Sequence, residues 1–396
     1  MFCMQAIRYR RYWNFFARQT TILSAGHARF VPIIEPTAHL HELHPTSPLT
    51  LTQPLLSIQL LYTSHSHQTS RHKPQLLTME DHLITLPHKP SAPLHISLSP
   101  PSPPSSPLST TLLIFLNGLL LPRSSWIPTI SHLQATASAQ NSPLPALLTY
   151  DRFGQGTSPR DPSDPPHSTN PYGHDAHTII TDLHALLTII SHSQLSTPLS
   201  NLTLILIANS IGCPLARLYA ASHPGSVSGF LFLDSMMANT DFVSLFPDPE
   251  SRPPPSVPKG ITLDDLRHAR ARFKSMFHPS VPNKEGFDRR GLAGLLPAAD
   301  APRLPAGRGG REPVLVVVGH DPEVFAEEGE KGSLGVPKAV TNAYVNPAWR
   351  AYNEGLAKLA DGSEVKIASG CGHFIQKDGP EFVAGEILRL LERVGR

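Results

Sequence analysis

From about residue 83 onward, short apolar runs alternate with stretches that carry a helical stripe of apolar side chains. Runs such as Thr111–Leu116 and Leu202–Ala208 are apolar at nearly every position, which is typical of strands buried on both faces of a sheet. His82–Leu86 and Leu94–Leu98 are predicted as short antiparallel strands. Further predicted strands are Ala146–Tyr150, Gly229–Leu233, Pro313–Val318 and Glu364–Ala368.

Helices are predicted between and after these strands. Asp175–Ile190 has apolar side chains at helical spacing, and Asp175 places a negative charge at its first turn. Cys213–Ser222 is helix-like and is followed by a Pro-Gly stop, and Pro380–Val394 is amphipathic. Buried strands separated by helices predict an α/β fold with a mostly parallel central sheet and helices on both faces. Ligands of such sheets bind beyond the carboxyl ends of the strands.

The pentapeptide Ala208-Asn209-Ser210-Ile211-Gly212 joins the most apolar strand to a helix. A serine on a sharp strand-to-helix turn exposes its hydroxyl, with the N-terminus of the helix behind it. Such turns usually read Gly-x-Ser-x-Gly, and alanine is the smallest replacement for the first glycine. Ser210 is therefore the candidate nucleophile, and a serine that only caps the helix is the alternative.

A histidine between glycines, His373, follows the last predicted strand. On such a loop it would accept the proton of Ser210 and return it to the leaving group, although a surface histidine is the alternative in a chain with 21 histidines. A carboxylate should orient it, and three candidates follow strands: Asp321, Asp234 and Glu323. Asp234 is alternatively a turn aspartate ahead of Ser235.

Two backbone amides are predicted to stabilise an oxyanion. Asn117-Gly118 ends the strand Thr111–Leu116, and the amide of Leu119 just after this turn would point at a developing negative charge. The amide of Ile211, next to the nucleophile, would supply the second donor.

Taken in order along the chain, several segments resemble the α/β-hydrolase superfamily, and the chain looks closest to hydrolases with an AB hydrolase-1 domain, particularly those of fungi. The resemblance implies the α/β-hydrolase fold, the chain order Ser, Asp, His, and an acid at the end of the penultimate strand. It therefore favours Ser210, Asp321 and His373 as the catalytic residues, with Asp234 as the alternative acid. The matching segments are Phe115–Gly118, Tyr150–Ser158, Ala208–Gly212, Val318–Asp321 and Gly370–Gln376.

Within the second of these segments, Gly154-x-Gly156 is interpreted as a tight structural turn. A dinucleotide fingerprint would need a third glycine where the chain has Pro159.

The segment 238–312 is too long for a plain connection between two sheet strands. In the family that it resembles, an insertion at this position usually forms a helical cap over the site, and a helical piece is predicted at Leu263–Met276. Four phenylalanines would line an acyl pocket, or would only hold the cap on the core: Phe242, Phe246, Phe273 and Phe277.

Residues 1–78 differ from the rest and are predicted to be a poorly ordered leader, rich first in arginine and then in His, Ser, Thr and Pro. No acidic residue precedes position 35, a pattern typical of mitochondrial import signals. A disordered basic tail is the alternative. The hydrolase domain is predicted over 79–396, with a cytoplasmic location favoured over a mitochondrial one.

Composition excludes several classes of protein. The formal net charge of +2 gives no indication of a nucleic-acid partner, and no apolar run reaches the length of a membrane span. Three cysteines, Cys3, Cys213 and Cys371, form neither a metal-ligand spacing nor a disulfide framework. Neither a metal nor an organic cofactor is expected.

The sequence therefore predicts a serine hydrolase that cleaves a carboxylic ester or a related acyl bond of a small molecule through an acyl-enzyme intermediate. Two alternatives stay open: a carbon–carbon bond hydrolase of the same fold, and a non-catalytic scaffold that only binds. An aspartate nucleophile, as in dehalogenases and epoxide hydrolases, is disfavoured because the turn carries serine.

Overall fold

The computed structural model describes residues 78–166 and 169–396. Eight strands form one sheet, in which β1 (Glu80–Thr85) pairs antiparallel with β2 (Pro93–Ser99). The other six strands pair parallel with one another, and only β2 meets them in antiparallel fashion. These six are β3 (Thr111–Leu116), β4 (Ala146–Tyr150), β5 (Thr203–Asn209), β6 (Val227–Leu233), β7 (Val314–His320) and β8 (Glu364–Ala368).

The strand order across the sheet is β1-β2-β4-β3-β5-β6-β7-β8. Side chains alternate between two cores along each central strand: Leu112 and Ile114 of β3 belong to one core, whereas Leu113 and Phe115 belong to the other. Both faces are thus covered, which explains why the central strands are continuously apolar. The predicted fold class is confirmed.

Two helices cover one face of the sheet, α1 (Ile127–Ala139) and α10 (Pro380–Gly395). The other face is covered chiefly by α2 (Ala176–Ser193), whose first turn is capped by Asp175, and by α3 (Gly212–Ser222). The remaining helices are α4 (Leu263–Met276), α5 (Leu292–Leu295), α6 (Pro322–Lys331), α7 (Lys338–Val340), α8 (Asn346–Leu356) and α9 (Ile375–Asp378), with a π-helical turn at Thr341–Val345 and 3₁₀ turns at Arg123–Trp126, Leu199–Asn201, Arg308–Gly310 and Ala357–Leu359.

The segment 238–312, hereafter the insertion, joins β6 to β7. Its main helix, α4, has the bounds that were predicted, and a capping box between Thr262 and Asp265 fixes its start. A second, shorter helix of the insertion is α5. Phe246 and Phe273 of the insertion pack edge to face in the core, with ring centroids 4.9 Å apart.

The predicted leader lies outside the described residues, apart from its last residue. Among the helices of residues 78–166 and 169–396, none is long and apolar enough to cross a membrane.

Candidate active site

Ser210 stands on the turn between β5 and α3 with a positive φ of 54°, a backbone conformation that L-residues rarely adopt. Its amide donates to the carbonyl of Leu233 at 3.1 Å. The turn is tight: a Cβ at Gly212 would lie 2.6 Å from the Leu116 carbonyl oxygen. A strained strand-to-helix turn therefore presents the Ser210 side chain, as the pentapeptide predicted.

His373 is held by a carboxylate at the end of β6. Its Nδ1 donates to Oδ2 of Asp234 at 2.5 Å, and Asp234 is fully buried. Because an ionised carboxylate only accepts hydrogen bonds, this contact places the proton on Nδ1 and leaves Nε2 as the basic nitrogen. His373 and Ser210 line the same cavity. The Ser210 hydroxyl has no hydrogen-bond partner among the described residues, and such bonds often tighten only when substrate binds.

The structure places Asp234, and not Asp321, in contact with His373. Asp321, which the resemblance favoured, does not bond to His373: its carboxylate accepts from the amides of Gly370, Glu323 and Val324 and thereby caps α6. These hydrogen bonds from backbone amides hold the pKa of Asp321 below its usual value, and the bond from Gly370 has the largest effect. Glu323 is exposed and pairs with Lys338 at 2.8 Å. Asp234, the alternative, is the residue in contact with His373.

A second histidine shares Asp234, and the sequence analysis missed it. Nδ1 of His320 lies 2.8 Å from Oδ1 of Asp234, and its Nε2 lies 3.2 Å from Oδ1 of Asn346. The Asn346 amide nitrogen donates to the Pro322 carbonyl, so its oxygen faces the imidazole. Both ring nitrogens thus meet acceptors, which is the geometry of a protonated imidazole. A histidine directly before Asp321 was the available signal.

Electrostatics agree with that geometry. Burial alone would raise the pKa of Asp234, but the charges and hydrogen bonds of His320 and His373 hold it at about 2. Burial alone would lower the pKa of His320, yet the Asp234 carboxylate raises it above its ordinary value. Asp234 is therefore ionised throughout the neutral range, and its other oxygen faces the His320 imidazole.

Asn209, inside the nucleophile turn, connects that turn to the His373 loop. Its amide nitrogen donates to the carbonyls of Leu233 at 3.0 Å and His373 at 3.1 Å, and its oxygen accepts from Gln376 at 3.2 Å. Asn209 and Gln376 are fully buried, so these bonds are shielded from water. They fix the position of the His373 loop relative to the Ser210 turn.

The two predicted oxyanion donors lie on either side of Ser210. Leu119 lines the cavity, and a Cβ on the preceding Gly118 would lie 3.4 Å from the Ser210 Cβ. Ile211 adjoins the nucleophile at the start of α3. No described residue accepts a hydrogen bond from the amide of Leu119 or Ile211.

A buried ion pair holds the loop that contains Leu119 in place. Arg152 Nε bonds to Glu285 Oε1 at 2.7 Å, and its Nη1 donates to the Asn117 carbonyl at 2.8 Å. The other Glu285 oxygen accepts from the Leu120 amide at 3.1 Å. Both charged side chains are almost completely buried. Arg152 comes from the turn after β4, whereas Glu285 comes from the insertion.

The turn after β4 also holds the Leu119 loop through Gln155. Gln155 donates to the Gly118 carbonyl at 2.9 Å and to Glu285 at 3.1 Å. Gly154 and Gly156 both have positive φ, and a Cβ at Gly154 would lie 2.3 Å from the Glu285 carbonyl oxygen. The interpretation of Gly154-x-Gly156 as a tight turn is confirmed, and the turn packs directly against the insertion.

The cavity in front of Ser210 is largely apolar. Of the four phenylalanines considered for an acyl pocket, Phe242, Phe273 and Phe277 line it, whereas Phe246 lies in the core and does not. Other lining side chains are Met236, Met276, Phe325, Leu334 and Trp349. The ring of Trp349 also packs edge to face on His373, with centroids 5.7 Å apart.

One cluster outside this cavity has potential metal ligands. Oxygen or nitrogen atoms of Asp161, Asp164 and His174 lie within 4.8 Å of one another. Protein cations already bind these carboxylates: the Lys89 ammonium bonds to Asp161, and Arg160 Nε lies 3.4 Å from Asp164. The cluster therefore pairs its charges internally, and we assign it a structural part.

Two solved structures illustrate what the chain is similar to. A solved esterase from Thermogutta terrifontis matches 80% of this chain and 99% of its own, at 14% identity and a TM-score of 0.43. The epoxide hydrolase VrEH1 from Vigna radiata matches 80% of this chain and 98% of its own, at 12% identity and a TM-score of 0.44. Identities this low transfer no substrate.

No curated protein matches the chain significantly. The model of the alpha/beta hydrolase family matches residues 113–386, a span that holds the Ser210 turn, Asp234 and the His373 loop. The chain therefore belongs to the alpha/beta hydrolase family.

Proposed function

We propose that this protein is a serine hydrolase that cleaves a carboxylic ester, or a related acyl bond, of a small-molecule substrate. Ser210 Oγ attacks the carbonyl carbon while its proton passes to Nε2 of His373, and Asp234 stabilises the imidazolium that forms. The amides of Leu119 and Ile211 bind the oxyanion. No metal or organic cofactor takes part.

Collapse of the tetrahedral intermediate breaks the bond to the leaving group, which takes the proton from His373 Nε2. The acyl group then remains on Ser210 as an ester. Water attacks it next, giving its proton to His373, and the second collapse releases the acid and returns the proton to Ser210.

The observation that carries this proposal is the contact between Asp234 and His373 at the cavity that Ser210 also lines. A buried carboxylate on Nδ1 fixes the tautomer that a general base needs. A histidine on a surface loop would not require it. The positive φ of Ser210 adds to this, because a serine that only capped α3 would have no need of a strained backbone.

Labelling with a fluorophosphonate probe tests the proposal. The folded protein should be labelled at Ser210, and heat-denatured protein should not. Ser210→Ala should abolish labelling and lower kcat on a responsive p-nitrophenyl ester by about 10³-fold or more. Ser251→Ala, which changes an exposed serine of the insertion, is the matched control and should leave both readouts unchanged.

Ester hydrolysis that survives Ser210→Ala would refute the mechanism. Folded protein that neither reacts with the probe nor hydrolyses any member of an acyl-chain panel would instead support a binding scaffold. If the probe labels Ser210 but only a diketone or dienoate is cleaved, product analysis would assign the chain to the carbon–carbon bond hydrolases.

A further inference from the structure

The cavity in front of Ser210 contains one unexpected charge. Among the described residues that line it, Arg289 of the insertion is the only one that is permanently charged, and its side chain is almost entirely buried. The neighbouring wall consists of Phe242, Phe273 and Phe277. A guanidinium among such side chains loses its hydration, so that it requires compensation from a nearby group.

The acidic groups near Arg289 are already engaged by other arginines. Asp288 forms a two-point pair with Arg290, at 2.9 and 2.7 Å. Glu285 forms its ion pair with Arg152 at 2.7 Å. No carboxylate of the described residues lies within 4 Å of the Arg289 guanidinium nitrogens. Arg289 is therefore a buried cation with no carboxylate in direct contact, although the charges of Glu285 and Asp288 act on it from a greater distance.

Neutral groups satisfy only part of its hydrogen-bonding capacity. Nη1 donates to the Phe277 carbonyl at 3.3 Å, and Nη2 donates to the carbonyls of His278 and Val281, both at 3.1 Å. Nε has no acceptor among the described residues. Burial lowers the pKa of Arg289 to about 10, so that the group is still cationic at neutral pH.

We propose that Arg289 binds a carboxylate on the acyl part of the substrate, remote from the bond that Ser210 attacks. The substrates would then be esters of acids with an apolar chain and a second, free carboxylate. The planar fork of a guanidinium suits a carboxylate, and the substrate would supply the directly bound carboxylate that Arg289 lacks. The inference rests on the proposed function, in which the acyl part of the substrate occupies the cavity during both acylation and deacylation of Ser210.

A matched pair of substrates tests it. Mono-p-nitrophenyl esters of adipic, suberic and sebacic acid carry the terminal carboxylate, and p-nitrophenyl esters of neutral acids of equal chain length lack it. For at least one length, the wild-type protein should prefer the charged ester in kcat/KM. Arg289→Met should lower kcat/KM for that ester by about 30-fold or more, mainly through KM, and should change the neutral ester little.

Two variants serve as controls. Arg289→Lys keeps the charge but not the fork, and should retain part of the preference. Arg270→Met removes another arginine of the insertion that bonds to backbone carbonyls, those of Val243 and Phe246, but does not line the cavity. It should affect both esters equally. If Arg289→Met does not fold, the wild-type preference and the Arg289→Lys result decide the question.

A wild-type protein that prefers the neutral ester at every length, or an Arg289→Met variant that affects both esters alike, would overturn the inference. Failure of the proposed function is separate, because it would appear as absent labelling of Ser210. In that case, thermal-shift titration with suberate against octanoate still tests Arg289. Suberate should stabilise the wild-type protein more than octanoate does, and Arg289→Met should remove the difference; equal shifts in the wild type would count against the inference.

Discussion

The ends of β6 and β7 lie side by side on the sheet, and each is followed by an acidic residue, yet the two acids are used differently. Asp234 is fully buried and bonds to two imidazoles. Asp321 is partly exposed and bonds to three backbone amides at the start of α6. A position at a strand end therefore does not by itself determine the role of an acid. Its role depends on how deeply it is buried and on which hydrogen-bond partners lie within reach.

The largest expected difference between the two acids is in catalysis. Asp234→Asn should lower kcat by about 10³- to 10⁴-fold, because an amide at that position favours the wrong tautomer of His373. The matched change, Asp321→Asn, should leave kcat within a few fold. Steady-state kinetics on one ester measures both, with thermal melting to verify folding. Equal losses in the two variants would break the comparison.

The second expected difference concerns His320. Of the two acids, only Asp234 forms a hydrogen bond between its carboxylate and the His320 ring. Because the pKa of His320 is raised in the folded protein, the stability it contributes is fully present below about pH 6.5 and is lost as the pH rises through its folded pKa. His320→Gln should therefore destabilise the protein by roughly 1–3 kcal/mol at pH 6 and by less at pH 9. Urea unfolding at both values measures this.

His320→Gln also has a kinetic signature that a purely structural residue would lack. Without the cationic neighbour, Asp234 would favour protonation of His373 more strongly, and the acidic limb of the kcat/KM profile should move to higher pH. Glu327→Gln, which changes an exposed carboxylate of α6 that pairs with Lys331 and does not line the cavity, is the control and should leave the limb in place. An unshifted limb in His320→Gln would mean that the imidazole is neutral.

The smallest expected effect belongs to Asp321. Asp321→Ala removes the cap of α6 and should lower the free energy of unfolding by about 1 kcal/mol, with little change in activity. Asp321→Ser retains a capping oxygen and should recover most of the loss. Chemical denaturation resolves a difference of this size. A large loss of activity in Asp321→Ser would return this residue to the candidate catalytic acids.

Much of the fold was predictable because its signal is local. Thr111–Leu116 and Ala146–Tyr150 were predicted with the bounds that the structure has, since buried parallel strands read as continuous apolar runs. Glu364–Ala368, a partly exposed strand at the edge of the sheet, was also predicted with the observed bounds. The helix Ile127–Ala139 was missed. Its Ser, Thr and Gln residues weaken the apolar stripe, and its burial comes from packing against α10.

The site was predictable only in part. Ser210 and His373 stand in short motifs whose glycines and neighbouring strands are visible in the chain. The partner of His373 depends on which of two adjacent strand ends is buried, and sequence spacing does not contain that information. Glu285 acts through contacts with Leu120 and Arg152, which are far away in the chain, and nothing local marks it. Arg289 bonds to nearby carbonyls of the insertion, but its place in the cavity depends on how the insertion packs over Ser210.

The ion pair between Arg152 and Glu285 has a consequence for engineering and for the divergence of relatives. An insertion of this kind could be deleted, or exchanged for that of a relative, in order to alter the range of substrates. Here an exchange would remove Glu285 and leave the Arg152 guanidinium buried and unpaired beside the Leu119 loop. Such a loss typically lowers the free energy of unfolding by about 3–5 kcal/mol. A chimaera of this protein would need to carry both residues, or replace both, in a single step.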